Sequence, residues 1–263
     1  MIENINVSII LPTYNEEENL LFLIPELLEN LNTVSDLVYE IIVVDDNSTD
    51  KTEEVVRTII KKNDSVKFVL RQGKPSLPLS ILEGIKVSKY EYVLWMDADG
   101  SMPAFVASQL IEKLQSSRNQ VIIGSRFVKG GGYKGINSDG NNSIVNVIKN
   151  IYKSEDSILA VFLSRIFNLA LIFLLNSKVK DVTSGFITGK KDYFKDSCFI
   201  KANYGDYFVY LMSDLLKKDI PIHEIGYICL TRKHGKSKTA NNIFDLAIKG
   251  WPYIKAAFIS RIE

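Results

Sequence analysis

Acidic residues gather in three short segments: Glu16 within Pro12-Thr13-Tyr14-Asn15-Glu16, the pair Asp45 and Asp46 within Asp45-Asp46-Asn47-Ser48-Thr49-Asp50, and the triplet Asp97-Ala98-Asp99. Each follows a short run rich in valine, isoleucine or leucine. Crowded carboxylates repel one another and hold protons unless a cation neutralises them. A hard divalent cation does this, and Mg²⁺ or Mn²⁺ typically bridges one or two carboxylates to substrate phosphates. Asp97-x-Asp99 suits that task, because a single intervening residue in extended backbone leaves both side chains on one side. Aspartates also cap helices and close turns. That plainer role fits Asp50. The Asp97-Ala98-Asp99 triplet, opposite two other acidic turns, reads as a metal site that bridges to substrate phosphates.

A basic cluster lies far along the chain, in Arg232-Lys-His-Gly-Lys-Ser-Lys238. Arginine suits bidentate contact with phosphate, so this run can hold an anionic substrate. The alternative is a solvated basic loop. Gly235-Lys236-Ser237 looks like the end of a P-loop, but the position five before Gly235 is Leu230, and a P-loop is rejected. No GxGxxG follows the first strand, which argues against a dinucleotide fold. His223 and His234 are the two histidines, and neither is assigned as a base. Cys198 and Cys229 lack metal-site spacing and read as reduced thiols.

The elements that must position these groups alternate in type. Strands are expected at Val7–Leu11, Glu40–Val44, Val66–Leu70, Tyr92–Met96 and Val121–Gly124, with helices between them. Asn15 reads as the cap of the first helix, and Pro25 is expected to kink it. The second strand, Glu40–Val44, is rich in Val and Ile without alternation, as a strand buried on both faces is. Repeated β-α-β order implies an α/β fold with a mostly parallel sheet flanked by helices. Ligands of such sheets bind outside the carboxyl ends of the strands, where all three acidic segments fall. Later elements are a strand near 182–188, a helix near 206–217, a strand near 223–230 and a terminal amphipathic helix from about residue 242.

Composition fits one elaborated domain spanning 1–263. The domain divides into halves of about 1–128 and about 129–263. The 263 residues are 46% hydrophobic and 24% charged, as in an ordinary globular protein. With 32 Lys and Arg against 31 Asp and Glu, no nucleic-acid partner is expected. The N-terminus has no basic segment ahead of its first strand, so no signal peptide is expected. Residues 129–156 are rich in Gly, Asn, Ser and Asp and read as a loop or insertion. Ile158 to Leu175 is almost wholly apolar. It is short of the roughly 20 residues of a membrane span, and Arg165 and Asn168 interrupt it. It reads as a helix lying in a membrane interface, with a buried core helix as the alternative.

In order and spacing, five segments resemble glycosyltransferase family 2, the inverting enzymes of the GT-A nucleotide-sugar fold. They are Leu11-Pro-Thr-Tyr-Asn-Glu16, Val43-Val-Asp-Asp-Asn-Ser-Thr-Asp50, Met96-Asp-Ala-Asp-Gly-Ser-Met-Pro103, Gly124-Ser-Arg126 and Asp181-Val-Thr-Ser-Gly-Phe186. The Asp181–Phe186 segment and the run Arg232–Lys238 are similar to those of dolichol-phosphate mannose synthases and related polyprenyl-phosphate glycosyltransferases. The resemblance implies donor-nucleotide contacts at Pro12, Tyr14, Glu16, Asp45, Asp46, Lys74 and Asp97. It implies a Mg²⁺ or Mn²⁺ site at Asp97, Asp99 and Ser101, with Asp97, Asp99 and Arg126 serving catalysis. Ser184, Arg232, Lys236 and Lys238 would hold the acceptor phosphate. The chain departs from the family at Lys74-Pro-Ser-Leu-Pro-Leu79, where a glycine-rich segment is usual, after Gly132, where it is longer, and at Asp206, where glutamate is common.

The resemblance implies a metal-dependent inverting glycosyltransferase that moves mannose from GDP-mannose onto a dolichyl or polyprenyl phosphate. It would work as a peripheral protein at the cytoplasmic face of a membrane. Open alternatives are a UDP-glucose or UDP-N-acetylhexosamine donor, a sugar hydroxyl as acceptor, or a nucleotide-sugar-binding module without turnover.

Overall fold

The computed structural model describes residues 4–133, 136–137, 158–232 and 243–262. Seven strands form the main sheet: β1 (Ile5–Thr13), β2 (Leu37–Asp45), β3 (Val66–Leu70), β4 (Tyr92–Trp95), β5 (Val121–Ser125), β8 (Ile187–Lys190) and β9 (Ile222–Gly226). Their order is β3-β2-β1-β4-β8-β5-β9. Strands β3, β2, β1 and β4 run parallel, and β8 lies antiparallel between β4 and β5. A second small sheet joins β6 (Gly132–Tyr133), β7 (Ile136–Asn137) and β10 (Ile228–Cys229).

The inner strands β1, β4 and β5 and the second half of β2 are buried on both faces, and alternate residues feed two separate cores. Ile9, Leu11, Ile41 and Val43 pack with α1 (Glu17–Leu31) and α4 (Ala104–Ser116) on one face. Ile10, Ile42 and Val44 pack with α3 (Leu77–Val87) and α7 (Tyr207–Lys217) on the other. The remaining helices are α2 (Thr52–Ile60), α5 (Ile158–Leu175), the short α6 (Asp196–Ile200) and α8 (Ile243–Ile262). Helix α3 lies so close to β1 that a Cβ on Gly84 would fall 2.4 Å from Ile10 Cγ2. That position therefore demands glycine.

The expected α/β sheet is present, with local corrections. Asn15 does not cap α1. It has φ of 57°, and its side-chain oxygen accepts from Thr49 N at 2.8 Å. The first amides of α1 are satisfied from the β2–α2 turn, where Thr52 Oγ1 accepts from Glu16 N at 3.0 Å and Asp50 from Glu17 N at 3.2 Å. A sequence window of a few residues misses such a cap. Pro25 lies within α1 on its exposed side, where the missing hydrogen bond is tolerated. The strand expected at 182–188 starts only at Ile187, since residues 180–184 are committed to side-chain contacts. The loop expected at 129–156 contributes β6 and β7, and most of its remainder lies outside the described residues.

Candidate active site

Parallel register brings the acidic turns together. Thr13 pairs with Asp45, and Ile10 pairs with Trp95. Asp97, two residues past Trp95, is therefore level with Pro12, two past Ile10. Gly100, with φ of 76°, turns the chain after Asp99. A cleft opens at this rim, outside the carboxyl ends of the strands, where parallel sheets bind their ligands. Its walls are Pro12 and Thr13 at the end of β1, Tyr14 and Glu16 after it, Asp46 after β2, and Pro75, Ser76, Leu77 and Ser80 around the start of α3. Asp97, Ala98 and Asp99 after β4 complete it with Asn203, Tyr204 and Arg232.

Asp97 and Asp99 form the charged floor. Asp99 accepts from Ser101 N at 2.9 Å, and its other oxygen pairs with Arg232 Nε at 2.7 Å. Burial and the neighbouring Asp99 charge push Asp97 up to about 7, against the opposing pull of Arg232. The floor is thus short of positive charge. Among the described residues, no three His, Cys, Asp or Glu side chains converge as a metal cage. Two adjacent carboxylates do fit a divalent cation that takes its other ligands from substrate phosphates.

The other acidic side chains are already engaged. Asp46 accepts from Arg71 Nε at 2.6 Å and from Ser76 N, which clamps residues 71–76 beside the cleft. Glu16 accepts from Asn19 Nδ2 at 2.6 Å. Asp206 is buried, and its carboxylate accepts from the amides of Asn203 at 3.0 Å and Tyr204 at 2.7 Å. It thereby shapes the wall those two residues form.

The sequence-derived candidates divide into three groups. Pro12, Tyr14, Glu16, Asp46, Asp97, Asp99 and Arg232 line the cleft. Asp45, Lys74, Ser101, Arg126 and Ser184 do not. Asp45 turns to Ser48, accepting from its amide at 3.1 Å, and burial raises its pKa. Lys74 is exposed, and its carbonyl accepts from Arg71. Ser101 reaches Asp99 through its backbone amide. Arg126 makes a bidentate pair with buried Asp181, both bonds 2.8 Å, and a third contact to Thr183 at 2.8 Å. Its guanidinium also faces the rings of Phe127 and Tyr133. Burial alone would weaken its charge, but Asp181 more than compensates and raises its pKa. Ser184 donates to the Gly124 carbonyl and is buried. Lys236 and Lys238 lie outside the described residues.

Sequence reasoning missed Arg71, Ser80, Asn203 and Tyr204. Arg71 had one available signal, a charged residue directly after β3. Tyr204 and Asn203 had none, because they reach the cleft through a turn held by Asp206.

A doubly covered, mostly parallel sheet with an acidic cleft at its carboxyl rim defines the class as a GT-A-type α/β domain. The model of glycosyl transferase family 2 matches residues 8–198, and the chain belongs to that family. The dolichol-phosphate mannosyltransferase of Pyrococcus furiosus is 40% identical over 126 residues, which is 48% of this chain and 34% of that protein. The yeast Saccharomyces cerevisiae protein of the same name is 30% identical over 49% of this chain and 48% of its own length. Poly(ribitol-phosphate) beta-N-acetylglucosaminyltransferase TarP of Staphylococcus aureus is 30% identical over 77% of this chain and 62% of its own length. The matches thus span between a third and two thirds of these relatives. Glucosyl-3-phosphoglycerate synthase from Mycobacterium tuberculosis, in complex with Mn²⁺, UDP and phosphoglyceric acid, superposes with a TM-score of 0.63. That likeness covers 97% of this chain and 78% of that one at 14% identity, and it establishes the fold alone.

Proposed function

We propose that this chain transfers a sugar from a nucleotide sugar to a polyprenyl phosphate, with mannose from GDP-mannose and dolichyl phosphate as the specific pair. The observation that carries this reading is the state of the carboxylates around the cleft. Glu16, Asp46 and Asp206 are each held by a protein donor, and Asp97 and Asp99 form the charged floor. A sugar hydroxyl needs a general base to activate it; Glu16, Asp46 and Asp206 are committed to protein donors, and Asp97 and Asp99 would be committed to the cation. A phosphate monoester is already ionised near neutral pH and needs positive charge to hold it.

The residues then divide the work. Asp97 and Asp99 would hold Mg²⁺ or Mn²⁺, which would neutralise charge developing on the departing diphosphate. Arg232 adds a fixed positive charge beside them. Tyr14, Pro75 and Leu77 give the remote end of the cleft flat, apolar walls for the nucleoside. The acceptor approaches from the face of the sugar opposite the diphosphate, which inverts the anomeric carbon. The buried Arg126–Asp181 pair braces the ends of β5 and the 180–184 segment rather than lining the cleft.

Two helix faces support a position on a membrane surface. Helix α5 exposes Ile166, Leu169 and Phe173, and α8 exposes Trp251, Phe258 and Ile262. The helices pack together where Phe167 meets Tyr253 edge to face at 5.6 Å. Exposed apolar side chains on paired helices suit the headgroup region of a bilayer, here its cytoplasmic face. Among the described residues, no helix is long and apolar enough to cross a membrane.

Comparing dolichyl phosphate with dolichol as acceptor tests the reading, using labelled GDP-mannose and Mn²⁺. Transfer to the phosphate alone supports it, and transfer to neither with any nucleotide sugar excludes it. The TarP match, which covers more of this chain than the mannosyltransferase matches, favours a second reading with a UDP-N-acetylhexosamine donor. A donor panel separates the two. Nucleotide-sugar binding without turnover would leave a binding module.

A further inference from the structure

Ser80 sits in the first turns of α3, directly after the segment Lys74–Leu79 that departs from the family's glycine-rich pattern. It lines the cleft and is 1% exposed. Its backbone amide donates to the Ser76 carbonyl at 3.0 Å, but its hydroxyl has no hydrogen-bond partner. A buried hydroxyl left unpaired is costly, and a helix position that needs only a small side chain would be better served by alanine. The polar group is therefore out of place in the ligand-free chain unless something entering the cleft pairs with it.

Position identifies which part of a ligand that is. Ser80 lies one turn before Gly84 on the same face of α3. Gly84 is pressed against Ile10 of β1 and Val44 of β2. Ser80 is thus directed toward the carboxyl ends of β1 and β2. Asp97 and Asp99 follow β4, on the other side of β1. Strands β2 and β4 are two spacings apart, about 10 Å, so the cleft has a charged end and a remote end. The diphosphate belongs at Asp97, Asp99 and Arg232. The remote end holds Pro75, Leu77 and the Ser80 hydroxyl, with the clamp of Arg71 on Asp46 fixing the segment between.

We propose that Ser80 Oγ is a hydrogen-bonding contact for the nucleoside of the donor and contributes to which nucleotide the chain accepts. This rests on the reading of the cleft as a nucleotide-sugar site. The test is calorimetric titration of the full chain and its Ser80→Ala variant with GDP, UDP and inorganic pyrophosphate, each with Mn²⁺. The variant is expected to lose about five- to tenfold in affinity for the nucleotide that the wild type prefers, with pyrophosphate changed by less than about twofold. Its ligand-free melting temperature is expected to equal or exceed that of the wild type. Unchanged nucleotide affinity, or an equal loss for pyrophosphate, would overturn the proposal. So would a lower melting temperature, since that would reveal an internal partner for the hydroxyl. A wild-type chain that binds none of these nucleotides would instead overturn the glycosyltransferase reading itself.

Discussion

Arg232 Nε lies 2.7 Å from Asp99 Oδ2 and forms an ion pair inside the acidic cleft. The pair joins the end of the β10 segment to the turn after β4, and Leu230 N donates to the Ser101 carbonyl at 2.9 Å beside it. The guanidinium thus supplies part of the positive charge that the two carboxylates require.

A divalent cation at Asp99 must compete with that guanidinium. Arg232→Gln is therefore expected to tighten donor-free Mn²⁺ binding by about three- to tenfold, since one repulsive charge is removed. Electron paramagnetic resonance of free Mn²⁺ measures this directly. Sugar transfer should fall in the same variant, because Arg232 would no longer face the substrate phosphates. Weaker Mn²⁺ binding would contradict the competition.

Asp97 carries a pH signature. Burial and the Asp99 charge raise it from 3.8 to about 7 in the ligand-free chain. The folded value exceeds the unfolded one, so the proton contributes stability below about pH 4, and that contribution is lost as pH rises through about 7. A cation and nucleoside diphosphate bound at the carboxylates would displace the proton. Calorimetry at pH 6 in two buffers of different ionisation enthalpy should show proton release on binding, largely gone at pH 8. Equal release at both values would remove Asp97 from the binding step.

The Arg126–Asp181 pair should behave as a structural clasp. Asp181 is fully buried and accepts from Arg126 and from the Thr183 amide, while Asn168 of α5 holds the Lys180 carbonyl and the Val182 amide. Asp181→Ala leaves a buried guanidinium unpaired and is expected to cost about 3–5 kcal/mol, read by urea unfolding. A loss of transfer without a loss of stability would instead place Arg126 at the reacting groups.

The apolar helix faces make a further prediction. Replacing Phe173 and Trp251, 81% and 63% exposed, with glutamate should sharply reduce cosedimentation with phospholipid vesicles. Transfer to a short, water-soluble prenyl phosphate should persist. Vesicle binding equal to wild type would place the membrane contact elsewhere.

The apolar strands and the acidic turns behind them were legible in the sequence, because both follow from local pattern. Strand runs such as Ile41–Val44 are hydrophobic without alternation, and ligand sites of parallel sheets lie at the carboxyl ends. Contacts between distant segments were not legible. The contact of Arg126 with Asp181, 55 positions later, has no local signal. Asn168 reads as an interruption of an apolar run, but it is buried against the 180–182 backbone. The α1 cap comes from Asp50 and Thr52, more than 30 residues away. Ser80 carried no local signal, since an unpaired hydroxyl is visible only when its surroundings are known.

The most direct measurement of the central claim is the appearance of labelled sugar in the organic phase. The full chain would be incubated with labelled GDP-mannose, dolichyl phosphate and Mn²⁺, beside an Asp99→Ala variant and a sample in EDTA. The account predicts a mannosyl phospholipid from the wild type, with both controls reduced by about a hundredfold or more. Labelled lipid formed equally well by Asp99→Ala would contradict it.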